Sequence, residues 1–245
     1  MKKIPERSDM GNQLRVRQFR YARDNLGYLI YSDREAMAID GGAVSDMLDF
    51  AEARGIKTRY VANTHMHPDH TAGTRSLVDS AKAEYLDNAA LIRRGKIELD
   101  NKIVRVHHTP GHTLDSLVFY LDGVLITGDT LFNGTVGNCF SGDLKAFHQS
   151  ISFLLSFPDD TLIYAGHDYV AESMQYARSL EPGNVNIGSY LEKYNPEHVF
   201  STLADEKKVN PYLRFNTPEL IAVLKERGLS TDTAYQRWES LMRIG

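Results

Sequence analysis

Cysteine is almost missing from this chain: Cys139 is the only one in 245 residues. A disulfide framework and a cysteine-rich zinc finger are both excluded by that scarcity. No apolar run approaches the roughly 20 residues needed to span a bilayer. The opening segment, Met1–Met10, carries positive charge without an apolar stretch behind it, so it does not read as a secretory signal. Basic charge is not in excess either. Lys and Arg number 28 against 32 Asp and Glu, a formal charge of −4 that offers no electrostatic footprint for a phosphate backbone. Neither nucleic acid nor a membrane is expected as a partner, and the expected location is cytoplasmic. Internal repeats and low-complexity segments are absent as well. What is present is an ordinary globular composition, 42% hydrophobic and 24% charged.

The first half alternates short apolar runs with turn signals. Leu14–Phe19, Leu26–Tyr31 and Ala36–Ile39 read as strands, and Gly41-Gly42 ends the last. Val44–Arg54 has helical spacing, Arg59–Ala62 reads as a strand, and the chain after Asp69 reads as helix through Val78. Strands are then expected at Ala83–Leu86, Ile103–His107, Leu117–Leu121, Val124–Thr127 and Thr161–Tyr164, with a helix over Asp143–Phe157. From Val170 onward the periodicity is helical only: Ala171–Leu180, a segment centred on Leu191, Thr217–Arg227 and Thr231–Met242. Strands with interspersed helices followed by helices alone predict an α/β unit and a small helical one, divided as residues 1–172 and 173–245.

The chemistry is concentrated in Thr64-His65-Met66-His67-Pro68-Asp69-His70, which holds three of the nine histidines. His65 and His67, two apart in an extended segment, leave the same face of the backbone. Pro68 turns the chain, so Asp69 and His70 emerge in a new direction, toward a second ion rather than the first. Imidazole and carboxylate suit borderline divalent cations. A lone His-x-His is commonly a polar loop, and Asp69 alone could cap a helix. Four ligand-type side chains at one strand end are another matter, because without an ion they would repel or desolvate one another. Three further strand ends repeat the theme: Thr109-Pro110-Gly111-His112-Thr113, Gly128-Asp129-Thr130 and Gly166-His167-Asp168. Five histidines and two aspartates suffice for two metals sharing a bridging carboxylate.

These motifs, in this order, resemble the metallo-β-lactamase superfamily, and within it glyoxalase II, the hydroxyacylglutathione hydrolases. The resemblance extends to Asn25–Ile30, the Ile39-Asp40-Gly41 turn, Gly128-Asp129-Thr130-Leu131-Phe132, and, later, Glu181–Asn184, Ser201–Glu206 and Asn210-Pro211. It implies an α+β fold, an αββα sandwich with a small helical C-terminal domain. It implies two divalent ions per chain, zinc first and iron or manganese as alternatives. His65, His67 and His112 look like ligands of one ion and Asp69, His70 and His167 of the other. Asp129 looks like the bridge, and Asp69 and Asp129 are the carboxylates placed in catalysis. The implied reaction is attack by a metal-bridging hydroxide on a thioester carbonyl of a small, glutathione-like acyl thioester. A zinc-bound water titrates near pH 7, roughly, against 15.7 for bulk water, and a thiolate with a pKa of about 8.5 leaves readily. No side-chain nucleophile is needed, so Cys139 reads as a pocket or core residue. His107, His108, His148 and His198 lie outside the motifs.

The chain departs from the family where the thiol carrier is held. In Val136–Gly142, Asn138 stands where a basic residue is usual and Phe140 where a tyrosine or phenylalanine is usual. Tyr169 and Arg237 fall on family substrate contacts, whereas Ser240 falls where a lysine is expected. Losing cations opposite a carboxylate-bearing thiol weakens its binding by roughly tenfold or more, or marks a different carrier. Two other readings compete. His167-Asp168-Tyr169 resembles the mononuclear iron persulfide dioxygenases, which lack the helical tail; a non-enzymatic metal-binding or sensing domain would not need all seven ligand positions filled.

Overall fold

The computed structural model describes residues 13–245, so the reading of Met1–Met10 lies outside the described residues. β1 (Arg15–Tyr21) and β2 (Asn25–Tyr31) form a hairpin, and β3 (Glu35–Ile39) adds antiparallel to β2. α1 (Val44–Glu52) carries the chain over to β4 (Lys57–Ala62), which runs parallel to β3. α2 (Pro68–Thr71) and α3 (Thr74–Ala81) precede β5 (Glu84–Tyr85), the last strand of a five-stranded sheet ordered β1-β2-β3-β4-β5.

α4 (Asn88–Arg94) leads into the second sheet through β6 (Lys96–Leu99), β7 (Lys102–His108), β8 (Leu117–Leu121) and β9 (Val124–Gly128). α5 (Leu144–Leu154) then delivers β10 (Leu162–Ala165) parallel to β9. The chain finishes with α6 (Val170–Leu180), α7 (Asn186–Lys193), β11 (Ser201–Thr202), α8 (Leu203–Val209), α9 (Pro218–Glu226) and α10 (Ala234–Ile244). β11 completes a six-stranded sheet by pairing with β10.

Alternation along the strands builds three cores. In β8, Leu117, Phe119 and Leu121 face the first sheet, where they join Leu26, Tyr28 and Ile30 of β2. Val118 points the other way, into a cluster with Phe147 and Ile151 of α5 and Trp238 and Leu241 of α10. Outside the first sheet, Leu29 meets Met47 and Ala51 of α1 and Leu77 of α3. The layers are therefore helix, sheet, sheet, helix: the αββα sandwich. Each large apolar side chain closed off this way contributes roughly 1.5–3 kcal/mol, which lets one edge of the sandwich carry buried polar groups at a cost in stability.

Strand direction decides which edge. β3 and β4 are parallel in one sheet, β9 and β10 in the other, and β7 shares the direction of β9 because both are antiparallel to β8. The C-terminal ends of these five strands therefore open on the same edge. There Leu117 N donates to the Thr64 carbonyl at 2.7 Å and Leu26 N to the Gly166 carbonyl at 2.8 Å.

Several expected elements differ in detail. The helix expected after Asp69 is two helices, broken at Gly73, where a β-carbon would stand 1.9 Å from the Gly41 carbonyl oxygen. The helix expected over Asp143–Phe157 is shorter, capped at its start by Asp143 accepting from Ala146 N. α4, β6, α8 and β11 are additional, and β11 places a strand in the stretch expected to be helical only. Trp238 is fully buried, as core.

Candidate metal centre

Four strand ends deliver the seven ligand-type residues, and the end of β3 adds Asp40 behind them. After β4, Asn63 and Thr64 lead to His65, and Thr64 is held by Asp40 at the end of β3, which accepts from Thr64 N at 2.8 Å and Thr64 Oγ1 at 2.6 Å. Asp40 has φ of 50°, a left-handed conformation uncommon outside glycine. After β9, Gly128 also has φ of 50°, and a β-carbon there would meet Thr64 Oγ1 at 2.5 Å. Only glycine lets the chain turn there and bring Asp129 beneath the histidines. Pro68 starts α2, which raises Asp69 and His70 together.

The outcome is one compact cluster. His65 Nε2 lies 2.8 Å from His67 Nδ1, which lies 3.0 Å from His112 Nε2. His70 Nε2 and His167 Nε2 are 3.1 Å apart, and Asp69 Oδ2 is 3.3 Å from His167 Nε2. Asp129 stands between the two groups. Its Oδ2 is 3.5 Å from His112 Nε2 and 3.6 Å from His167 Nε2, and its Oδ1 is 3.3 Å from His70 Nε2. Three overlapping sets could each hold a metal ion: His65–His67–His112, His65–His70–Asp129 and Asp69–His70–His167. All seven residues singled out in the sequence are brought together.

The outer hydrogen bonds fix which nitrogens face inward. His112 Nδ1 is 2.9 Å from the Asn138 carbonyl, and His65 Nδ1 is 3.1 Å from Thr64 Oγ1, whose own proton goes to Asp40. His70 Nδ1 is 2.9 Å from Asp40 Oδ2 and His167 Nδ1 is 2.8 Å from Asp24 Oδ1. These networks assign the Nδ1 proton in all four rings and turn their Nε2 atoms into the cluster. Converging lone pairs repel one another unless a cation lies among them, and buried Asp129 Oδ1 has no hydrogen-bond partner. The donor set fits a metal site.

The electrostatics agree. Burial favours the neutral ring of His65, pushing its pKa down to about 3. Burial also disfavours charge on His70, but Asp40 and Asp129 outweigh it and push that pKa up to about 11. Asp129 is buried yet held far below the usual carboxylate range by His70, His65 and His167. Asp69 is likewise lowered: partial burial opposes ionisation, and the Asn25 bond and the two imidazoles overcome it. The pocket is built for positive charge at its centre.

The rim is less uniform. Phe140 is 66% exposed and sets its ring edge-on to His67 and His112, at 5.4 and 5.3 Å. Tyr169 stacks on His167 with centroids 5.0 Å apart. Asn138 contributes its carbonyl to His112 while its side chain is exposed. Arg237 is tied elsewhere, donating to Asn216 Oδ1 and the Thr231 carbonyl, and Ser240 is buried and donates to the Ser230 carbonyl. His148 sits among Phe215, Tyr235 and Trp238, and His107 between Phe153 and Phe157. Cys139 lies beside Ser141 at 3.5 Å and packs on the outer core.

Glu206, fully buried in α8, reaches back to the loop after Phe132. It accepts from Gly134 N at 2.8 Å, Tyr190 Oη at 2.6 Å and Asn210 Nδ2 at 2.9 Å, while Asn210 also donates to the Thr135 carbonyl. The C-terminal helices thus fasten the loop that follows Asp129. Asp40 and Glu206 lie in recognised motifs and Asp24 just before one, but nothing in the sequence points to these contacts.

Comparison with known proteins agrees with this architecture. Residues 81–167 match the metallo-beta-lactamase superfamily and residues 168–242 the hydroxyacylglutathione hydrolase C-terminus. The chain is 33% identical over 223 residues to hydroxyacylglutathione hydrolase of Anaeromyxobacter dehalogenans, covering 84% of this chain and 88% of that one. It is 31% identical over 230 residues to the Chromohalobacter salexigens enzyme of the same name, covering 86% and 90%. In fold it is similar to the crystal structure of ETHE1 from Myxococcus xanthus, with a TM-score of 0.65 at 23% identity, covering 92% of this chain and 99% of that one. Among the described residues no helix is long and apolar enough to cross a membrane. Sequence, fold and the donor set converge: the chain belongs to the hydroxyacylglutathione hydrolase family of the metallo-β-lactamase superfamily and is a metal-dependent hydrolase.

Proposed function

We propose that this protein is a dinuclear thioester hydrolase whose thiol carrier is bound with less charge complementarity than glutathione would require. His65, His67 and His112 would hold one ion, Asp69, His70 and His167 the other, with Asp129 shared. The observation that supports this reading is the position of Asp129, whose Oδ2 lies 3.5 Å from His112 Nε2 of one ligand group and 3.6 Å from His167 Nε2 of the other, with Oδ1 3.3 Å from His70 Nε2. Ions held there supply hydroxide from water near neutral pH and positive charge for a developing oxyanion.

The chain's own residues do the rest. The four rings with fixed Nδ1 protons present Nε2 lone pairs without reorganising, and ionised Asp129 offsets part of the charge that two cations bring. The reacting carbonyl would enter past Phe140 and Tyr169, which flank the cluster from opposite sides. Phe140, exposed beside His67 and His112, makes that entrance apolar. Asn138 supplies no cation, Arg237 is engaged with Asn216, and Ser240 is buried. These placements support a substrate with fewer carboxylates near the sulfur.

Elemental analysis beside steady-state kinetics on a thioester panel tests both halves. Two metal equivalents per chain and a higher kcat/KM for thioesters of less anionic thiols are expected. A micromolar KM with fast turnover on S-D-lactoylglutathione would end the altered-carrier reading. One iron per chain with sulfur-dependent oxygen uptake would replace the hydrolase by a persulfide dioxygenase.

A further inference from the structure

The groups behind the ligands differ between the two ends of the cluster. Behind His65 and His112 the acceptors are neutral: the Thr64 hydroxyl and the Asn138 carbonyl. Behind His70 and His167 they are carboxylates, Asp40 and Asp24. The third member of that second set, Asp69, is half-exposed on a one-turn helix and would swing freely if nothing held it. Asn25 holds it, donating from Nδ2 to Asp69 Oδ2 at 2.9 Å.

Asp24 is the last residue of the turn between β1 and β2, and Asn25 is the first residue of β2. The turn is fastened to the strand end it serves. Asp168 N donates to the Asp24 carbonyl at 2.9 Å, and Leu26 N to the Gly166 carbonyl at 2.8 Å. Asn25 also pairs with His167 through an isolated antiparallel bridge. One short turn therefore bonds two of the three members of one ligand set and none of the other.

We propose that Asp24 and Asn25 are positioning residues for the second ion, selective for the Asp69–His70–His167 set. Asp24 locks the His167 tautomer so that Nε2 faces inward, and its charge makes that nitrogen a stronger donor. Asn25 fixes the rotamer of Asp69. Neither touches the three-histidine set. The inference rests on the two-site reading above, and its consequence is asymmetric: losing the turn's side chains should cost one ion and spare the other.

The experiment is a metal titration of the full-length chain, stripped by chelation and reloaded with cobalt(II) against a competing chromophoric chelator. Wild type, Asp24→Ala, Asp24→Asn and Asn25→Ala are compared, with the thermal melt of each metal-free form recorded alongside. Removing such outer partners typically costs about 10–100-fold in metal affinity. In Asp24→Ala and Asn25→Ala one equivalent is expected to weaken by that factor while the other stays within about threefold. Asp24→Asn retains an acceptor for Nδ1 without the charge and should fall between. Metal-free melts should coincide with wild type, since Asp24 is partly exposed and on the surface of the sandwich.

Unchanged affinities in both alanine variants would overturn the proposal, as would equal weakening of both equivalents. A wild-type chain that takes up one equivalent would overturn the dinuclear reading instead. The variants still answer separately in that case: loss of the single equivalent supports the turn's role, and full retention refutes it.

Discussion

A β-carbon on Gly166 would stand 2.2 Å from Asp129 Oδ1. It would also come within 2.8 Å of His70 Cε1, so the space a side chain would fill is already occupied by the shared carboxylate and a neighbouring ring. Gly166→Ala should displace Asp129 and lower metal affinity and turnover by about 10–100-fold, the range seen when groups supporting ligands are disturbed. Wild-type metal content and rate in this variant would show that Asp129 has more room than the packing allows.

Asn138 bonds to His112 through its backbone carbonyl, so its exposed side chain can be changed without disturbing that contact. Asn138→Lys should restore a cation at the rim. A charge-assisted hydrogen bond is worth about 1.5–3 kcal/mol, so KM for a glutathione thioester should fall roughly tenfold with kcat little altered. An unchanged KM would mean that the carrier does not pass this loop.

Chelation should do more than abolish activity. Ligands that bind only the folded state stabilise it, by about 4 kcal/mol at a thousandfold excess over Kd. For a domain of this length that corresponds to a melting shift on the order of 10 °C, reversed by adding zinc. Identical melting curves with and without chelator would argue against tight ions at this cluster.

Glu206 gives a pH signature away from the cluster. Burial raises its pKa above the ordinary 4.5, despite the bonds from Tyr190, Asn210 and Gly134. Above pH 4.5 and up to that raised value the folded state binds more protons than the unfolded one, so this group makes stability fall as pH rises. Glu206→Gln should remove that slope, because the amide oxygen can still accept from Gly134 and Asn210 while the amide nitrogen faces the Tyr190 hydroxyl. Glu206→Ala, which orphans three donors, should cost roughly 2–4 kcal/mol in denaturant unfolding. Parallel stability-versus-pH curves for wild type and Glu206→Gln would exclude a raised pKa.

The ligand cluster was legible in the sequence because its residue types carry their chemistry wherever they stand, and turn residues mark the strand ends that present them. The supporting residues were not. Asp24 bonds His167 across 143 positions, and a turn aspartate reads the same whether or not an imidazole lies behind it. Arg237 shows the converse, a side chain placed by loose resemblance whose donors the fold commits to Asn216. Among elements, α4 was missed although Asp87 caps it by accepting from Ala90 N, a signal present in the sequence. β6 is only four residues long, too short for alternation to declare itself.

The bonds from Leu117 to Thr64 and from Leu26 to Gly166 rivet one half of the molecule to the other beside the cluster. Sliding of the two sheets past each other, an easy deformation for a layered protein, would tear those rivets before it opened anything useful. Reactants would then come and go past Phe140 and Tyr169, above a framework that these bonds keep as still as a vice.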